Sequence, residues 1–433
     1  MATVRIPAAD LAEAAGFYLD LHRHPELSGR EERTAARFAE RLSASGYAVE
    51  TGIGGHGVAG VLRNGAGPVV LLRAELDALP VEERTGLPYA STVRTRSADG
   101  REVPVMHACG HDVHLACAAG AATALARSTE RWRGTVLIVG QPAEETLDGA
   151  RAMLADGLYR RFEPPSVVLA QHTAPLPAGM VAHGSGPMTA GSVTLEVVIH
   201  GRGGHAGAPH LAVDPLLAAA TVVLRLQSVV AQETGPAEQA VLTVGSLRAG
   251  GPANVIPDEA RLGVTLRAFS EQTLERMVAA VRRIVAAEAQ ASRCPREPTV
   301  AVTSRSGVNL PDTELTALVR AAHEDAFGPQ RVTGWPPATA TDDFPLFGAT
   351  GAGLHGVTGI RTAYWMLGMV GPEQWAAAPG GTAAGKLAAL PPNHSPGFRP
   401  NVGLTLRTGI TALSTAALTQ LAARGPERPG VPS

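Results

Sequence analysis

Residues 106–114, MHACGHDVH, constrain this chain more than any other stretch. They carry a thiol at Cys109, imidazoles at His107, His111 and His114, and a carboxylate at Asp112. Cys109 and His111 flank Gly110 at i and i+2, so an extended segment or tight loop projects both to one side, within reach of one metal cluster. The following HLACAAGAATALA reads as a helix. The donors therefore sit where a loop enters a helix, a common place for an active site in an α/β protein. Taken alone, the motif is only suggestive, because a satisfied polar cluster or a structural zinc site can carry the same residues, and the rest of the chain has to decide.

At 433 residues the chain is too long for one ordinary core, and two domains are expected. Hydrophobic residues at 45% and charged residues at 18% are globular proportions. A net charge of −2 gives no electrostatic reason to expect nucleic acid or an anionic membrane as partner and leaves small molecules open. Cys109, Cys117 and Cys294 are odd in number and show no disulfide spacing, which fits a reducing, cytoplasmic setting. The first residues lack the apolar core of a signal peptide. The most apolar long run, residues 211–232, is broken by Asp214 and Arg225 and reads as an amphipathic helix rather than a membrane span.

In chain order, residues 8–22 and 31–45 have helical spacing, with Ser28 and Glu31 resembling a capping box at the second helix. Strand patterns follow at 47–51, 58–62 and 68–75, the last running into the acids of RAELDALP. The apolar run 135–139 leads through Gln141-Pro142 to the adjacent acids Glu144 and Glu145, and PSVVLAQH is expected to end its strand on His172. Acids and imidazoles at strand ends match the ligand-facing edge of an open α/β sheet. From residue 188 to 306 the pattern becomes βαββαβ, the ferredoxin-like order, as an inserted lid or dimerisation domain; it predicts one helix over 212–232 and another over 271–291. The predicted domains are therefore 1–187 and 307–433 as two segments of a catalytic α/β domain with a mixed, mostly parallel sheet, and 188–306 as the insertion. Residues 371–390 read as a loop, 404–423 as a closing helix and 424–433 as a disordered tail.

RAELDALP, MHACGHDVH, QPAEE, AQH, GRGGHAGAPH with VDP, GGPANVIPDEA and NHSPGF occur in one order from about His22 to Phe398. Together they resemble the amidohydrolase branch of the aminoacylase and carboxypeptidase family of two-metal peptidases, the branch of hippurate hydrolases and plant auxin-conjugate hydrolases. The resemblance implies two divalent metal ions, zinc first and manganese or cobalt as alternatives, held by Cys109, His111, Glu145, His172 and His394. It implies a metal-activated water with Glu144 as general base, cleaving the amide of N-acyl or N-aroyl amino acids to a carboxylic acid and a free amino acid. Asp77 would orient a ligand, His205 would help hold the oxyanion, often across a dimer interface, and Asn254 and Arg267 would grip the substrate carboxylate. A homodimer or higher homo-oligomer is implied as well.

Glu75 stands where the family usually has aspartate, and TATDDFPLF places Asp342 where glutamate is customary. His107 and His114 fit supporting or purely structural places and stay outside the metal set, and Cys117 reads as core. Other functions remain open at this point. They are a dipeptidase or aminopeptidase of the same family, a catalytically silent metal- or ligand-binding protein, and a thiol enzyme with Cys109 as nucleophile and His111 as base, whose i, i+2 spacing makes a direct hydrogen bond awkward.

Overall fold

A computed structural model describes residues 4–97 and 99–421. The described chain divides into two compact units: residues up to Gly186 with Pro311–Pro336 and the chain from Asp343 on, and Pro187–Leu310 with Pro337–Asp342.

The first unit is built on an eight-stranded sheet in the order Ala48–Ile53, Gly57–Asn64, Gly134–Gln141, Val69–Glu75, Val167–Pro177, Arg361–Val370, Val181–His183, Val332–Gly334. Its centre is parallel: Val69–Glu75 pairs with Gly134–Gln141 and Val167–Pro177, which pairs with Arg361–Val370. The antiparallel pairings lie towards the edges. VVLLRAE and GTVLIVGQ are buried at every position, as strands covered by helices on both faces must be. The mixed, mostly parallel sheet expected from the sequence is therefore present.

Two helices cover the site-bearing strands, His111–Ala126 and Val402–Leu421. Both are buried over most of their length, with the first turns of the second, including Arg407, left exposed. They approach closely because they carry small residues: a Cβ on Gly409 would lie 2.4 Å from the Cys117 sulfur. Cys117 is a core residue. Thr313–Phe327 is started by Asp312, whose carboxylate accepts from Leu315 N at 2.7 Å, a cap worth ~1 kcal/mol.

The second unit carries a four-stranded antiparallel sheet in the order Ala240–Ala249, Glu259–Ala268, Gly191–His200, Thr299–Ser306. Helices Pro215–Leu226 and Glu271–Ala291 bury Val222, Leu226, Leu274, Met277 and Val281 in the same core as the sheet. Numbered by sequence, the strands lie 2-3-1-4, the split βαβ arrangement.

Several expected elements differ. The helix expected over 212–232 starts at Pro215, where Asp214 caps it through Leu216 N, and breaks at Gln227 into Ser228–Glu233. The strand carrying His172 runs on to Pro177, because Arg361–Val370 keeps pairing with it past that residue. The 371–390 loop holds two short helices, Pro372–Ala377 and Ala383–Ala389, the second started by the Thr382 hydroxyl. The expected disordered tail lies outside the described residues.

Candidate metal centre

Strand register sets the level of the site. Glu75 pairs with Gln141, and Arg73 with Ala170, so the carboxyl ends of the three central strands bring Glu75, Gln141 and His172 to one edge. Beyond that edge Leu79 and Met106 exchange two backbone hydrogen bonds of 3.0 Å, which clamps the loop after Glu75 to the loop carrying Cys109. Gly110 follows in the left-handed region (φ 83°), and a Cβ there would lie 2.4 Å from the Thr173 hydroxyl. Only glycine permits this turn, and the helix starts at His111, three residues before the expected start. The Thr173 hydroxyl donates to the Cys109 carbonyl at 2.8 Å.

The acids Glu144 and Glu145 are presented by a strained turn. Ala143 has φ 49°, a conformation that costs an alanine on the order of 1 kcal/mol. Glu31 holds it there: its Oε1 accepts from Ala143 N and from Gly29 N, both at 2.8 Å. The capping box expected from Ser28 and Glu31 is therefore absent. Glu31 makes no side-chain cap on Glu32–Ala44, and Ser28 donates instead to Asp77 Oδ2 at 2.7 Å. The same Asp77 oxygen accepts from Glu145 N at 3.0 Å, which fixes where the second acid begins.

His394 arrives from the other end of the chain, also with positive φ (67°). Its N–H donates to Ala108 O at 2.7 Å, and the neighbouring Asn393 amide bridges the carbonyls of Cys109 and Thr173 at 3.3 and 3.2 Å. These bonds hold a non-glycine residue in a left-handed conformation, as functional loops do.

The five residues expected as ligands come together. His394 Nε2 lies 3.2 Å and His172 Nε2 3.5 Å from Cys109 Sγ. His394 Nε2 is 3.4 Å from Glu145 Oε1, and His111 Nε2 is 3.9 Å from that oxygen and 3.7 Å from Glu144 Oε2. His111 and His172 each turn Nδ1 onto a backbone carbonyl, Asp77 O and Thr173 O, at 2.9 Å. Nδ1 must then carry the proton, which leaves the Nε2 lone pairs facing inward. Among the described residues neither His111 Nε2 nor Glu145 Oε1 has a hydrogen-bond partner, although both are buried.

Electrostatics point the same way. Burial opposes a charged imidazole at His172, yet the Cys109 thiolate against it raises its pKa to about 9. Cys109 and Glu145 raise His394 to about 10. Burial would raise the Cys109 thiol, but the facing imidazoles hold it well below its ordinary value. Burial and the thiolate lift Glu145 to about 6. The cluster calls for positive charge, which in the metal-free protein protons supply. Thiolate, imidazole and carboxylate donors with two orphaned inward atoms fit divalent cations, and Cys109 Sγ belongs to two compact donor groups, one with His111 and His172 and one with Glu145 and His394.

Beneath lies a buried network that the sequence reading left mostly out. His114 Nδ1 meets Glu75 Oε2 at 2.7 Å, and its Nε2 accepts from Thr173 N at 2.9 Å, so this imidazole supports the strand that carries His172. Burial opposes charge on Glu75, but Arg73 and His114 hold its pKa well below the usual range. Arg73 also donates to Gln141 Oε1 (2.8 Å) and Asp343 Oδ1 (3.0 Å). Asp77 Oδ1 stands 3.2 Å from His111 Nδ1. His107 is buried with both ring nitrogens unpartnered among the described residues, and burial lowers it to about 4.

The remaining candidates lie in the second unit. His205 is exposed on a two-residue pairing of Gly204–His205 with Val255–Ile256, and Ala206 N donates to Asn254 O at 3.0 Å, so His205 and Asn254 are neighbours. Arg267, half-buried on Glu259–Ala268, donates to Thr339 O at 2.6 Å. Asp342 is buried, and its carbonyl accepts from the Ser306 hydroxyl at 2.5 Å.

A mostly parallel sheet whose edge gathers a thiolate, imidazoles and paired carboxylates defines a metal-dependent hydrolase. Residues 71–378 match the model of peptidase family M20/M25/M40, and the chain belongs to that family. It is 34% identical to hippurate hydrolase of Campylobacter jejuni over 76% of this chain and 82% of that one. It is 34% identical to the N-acetyl-L-cysteine deacetylase of Bacillus subtilis, over 77% and 76%. The solved structure of a dinuclear metal binding peptidase of the M20 family from Bacillus subtilis aligns over 96% of this chain and all of that one, with TM-score 0.72 and 25% identity. The protein is a metal-dependent amidohydrolase. That class leaves no need for the thiol-nucleophile alternative at Cys109.

Proposed function

We propose that the protein cleaves the amide of N-acyl or N-aroyl amino acids, with Cys109, His111, Glu145, His172 and His394 holding two divalent cations and Glu144 acting as general base. The observation that carries this reading is that His172 Nε2 and His394 Nε2 face the Cys109 sulfur, which forms one compact donor group with His111 and His172 and another with Glu145 and His394, with the Glu144 carboxylate beside His111. Bound cations supply Lewis acidity, lowering the pKa of a water and polarising the scissile carbonyl. Glu144 takes the proton of the attacking water on its carboxylate and delivers it to the departing amide nitrogen, so a free amine leaves. Asp77 keeps His111 in the tautomer that points Nε2 inward.

His205 is proposed to hold the oxyanion, and Asn254 and Arg267 to bind the free carboxylate, for which guanidinium's forked donors are suited. The relatives named for hippurate and N-acetyl-L-cysteine support a blocked amino acid as substrate. A thiolate in the donor set favours zinc, with manganese or cobalt as alternatives. A homodimer is proposed through Ala240–Ala249, an edge strand paired on one side only, and sedimentation measures it. A cytoplasmic location is proposed from the unpaired cysteines; no described helix is long and apolar enough to cross a membrane.

The test is a panel of N-acetyl and N-benzoyl amino acids beside the corresponding free dipeptides, assayed on metal-loaded protein. Turnover of blocked substrates with little on free dipeptides supports the reading. The reverse preference makes the protein a dipeptidase of the same family, and no turnover on either set rejects both substrate classes.

A further inference from the structure

Away from the metal centre, the first unit holds a cleft of about 840 Å³ walled by residues 4–8, the end of the Thr313–Phe327 helix and the first turns of Val402–Leu421. Three exposed guanidinium groups line it, those of Arg5, Arg331 and Arg407, and among the described residues no aspartate or glutamate does. Among the described residues none of the three makes an ion pair or side-chain hydrogen bond. Some other arginines of this unit are neutralised: Arg33 and Arg37 share the Asp20 carboxylate. The chain as a whole has 37 basic and 39 acidic side chains, so three unneutralised cations around one acid-free concavity are not a consequence of a basic composition. The rest of the wall is mostly apolar, with Ile6 and Phe327 prominent, and its two threonines, Thr408 and Thr411, donate their hydroxyls to carbonyls of their own helix. None of the proposed metal ligands contributes to it.

We propose that this cleft binds a phosphorylated small molecule, its phosphates among Arg5, Arg331 and Arg407 and an apolar or aromatic body against Phe327 and Ile6. Guanidinium forks match phosphate oxygens bidentately, and a multivalent anion relieves the repulsion of three like charges. The cleft's size is that of small-molecule sites, whose apolar walls hold the body of a ligand while a few charged groups orient it.

Calorimetric titration of the full, metal-loaded chain with adenosine diphosphate and with inorganic pyrophosphate tests this, using the Arg331→Gln/Arg407→Gln double variant and, as control, Arg63→Gln, an exposed arginine outside the cleft. The wild type is expected to bind the nucleotide more tightly than pyrophosphate, with affinity falling as salt is added. The double variant is expected to lose about 100-fold for both, roughly tenfold for each charged contact removed, while Arg63→Gln binds as wild type does. Because both anions also chelate cations, equal affinity in wild type and double variant would place them on the metals and overturn the proposal. Absence of nucleotide binding at millimolar concentration overturns it too, and equal affinity for pyrophosphate and nucleotide rejects the apolar body. Arginines on the surface can be replaced without loss of fold, which circular dichroism and unchanged metal content verify.

Discussion

At the sheet edge His111, His172 and His394 face Cys109, Glu144 and Glu145; elsewhere in the same unit His183 and His323 face each other, Trp365 and Phe327. Burial lowers the pKa of both members of the second pair, His183 to about 2 and His323 to about 4. At the edge His172 is less completely covered, and although burial still opposes its charge, the Cys109 thiolate and Glu75 reverse the sign. Hydrogen bonding differs in parallel. His323 Nε2–H donates to Ala412 O at 3.1 Å, so its Nδ1 accepts from His183 Nε2–H at 3.0 Å, and the chain of donors ends satisfied. In the edge cluster His111 Nε2 and Glu145 Oε1 are left over. What makes buried histidines a candidate metal centre is thus the anionic company and the unspent inward atoms, and histidine count alone says nothing.

Removing the cations should separate the two clusters most sharply. Dialysis against a chelator is expected to abolish amide hydrolysis, and an added divalent ion to restore it; persistent turnover by demonstrably metal-free protein would contradict the family chemistry. Glu144→Gln comes next. It is isosteric and outside the proposed ligand set, so metal content should be unchanged while kcat falls by about 10²–10⁴; undiminished kcat would mean that another group moves the proton. Glu75→Gln should have a smaller effect, felt through His114 and the strand carrying His172. Metal affinity is expected to weaken by roughly 10–100-fold, measured by competition with a chromogenic chelator, and kcat at saturating metal to change little.

These substitutions mark what the residues alone reveal. The strands read well because a strand buried on both faces must be a continuous apolar run, as VVLLRAE and GTVLIVGQ are. The donor-bearing loops read well because titratable residues were concentrated at strand ends. Glu31 was misassigned: a local rule of spacing pairs it with Ser28, whereas its actual partner, Ala143 N, is 112 residues away, and no local pattern encodes that distance. Glu75 and His114 were visible individually but not as a pair, since their contact depends on the register between a strand and a helix. In the acidic run the sequence draws attention to Asp342, whereas it is the neighbouring Asp343 that anchors Arg73 and Gln141. Asn393, adjacent to His394 in PPNHSPGF, is legible in principle, because a polar residue next to a proposed ligand is a natural brace.

The smallest expected effect concerns the other cluster and carries a definite sign. Unfolded histidine protonates near pH 6.5, whereas folded His183 and His323 resist protonation until about pH 2 and 4. Between those values the unfolded chain binds more protons, so stability rises with pH there and is lost as pH falls below about 6.5. At pH 5 the penalty is about 2 kcal/mol for each imidazole, since one pH unit of difference is worth about 1.4 kcal/mol. The proposed metal ligands also protonate on acidification, so absolute melting curves mix the two causes. A His183→Asn/His323→Gln variant isolates one: it should be less stable than wild type at pH 7.5, because amides fill the space left by the rings poorly, yet lose less stability on going to pH 5. The difference between the two proteins' unfolding midpoints at the two pH values cancels the contribution of the distant site. Parallel pH dependences would mean that the His183–His323 pair is already protonated in the folded state and that its burial does not govern its charge.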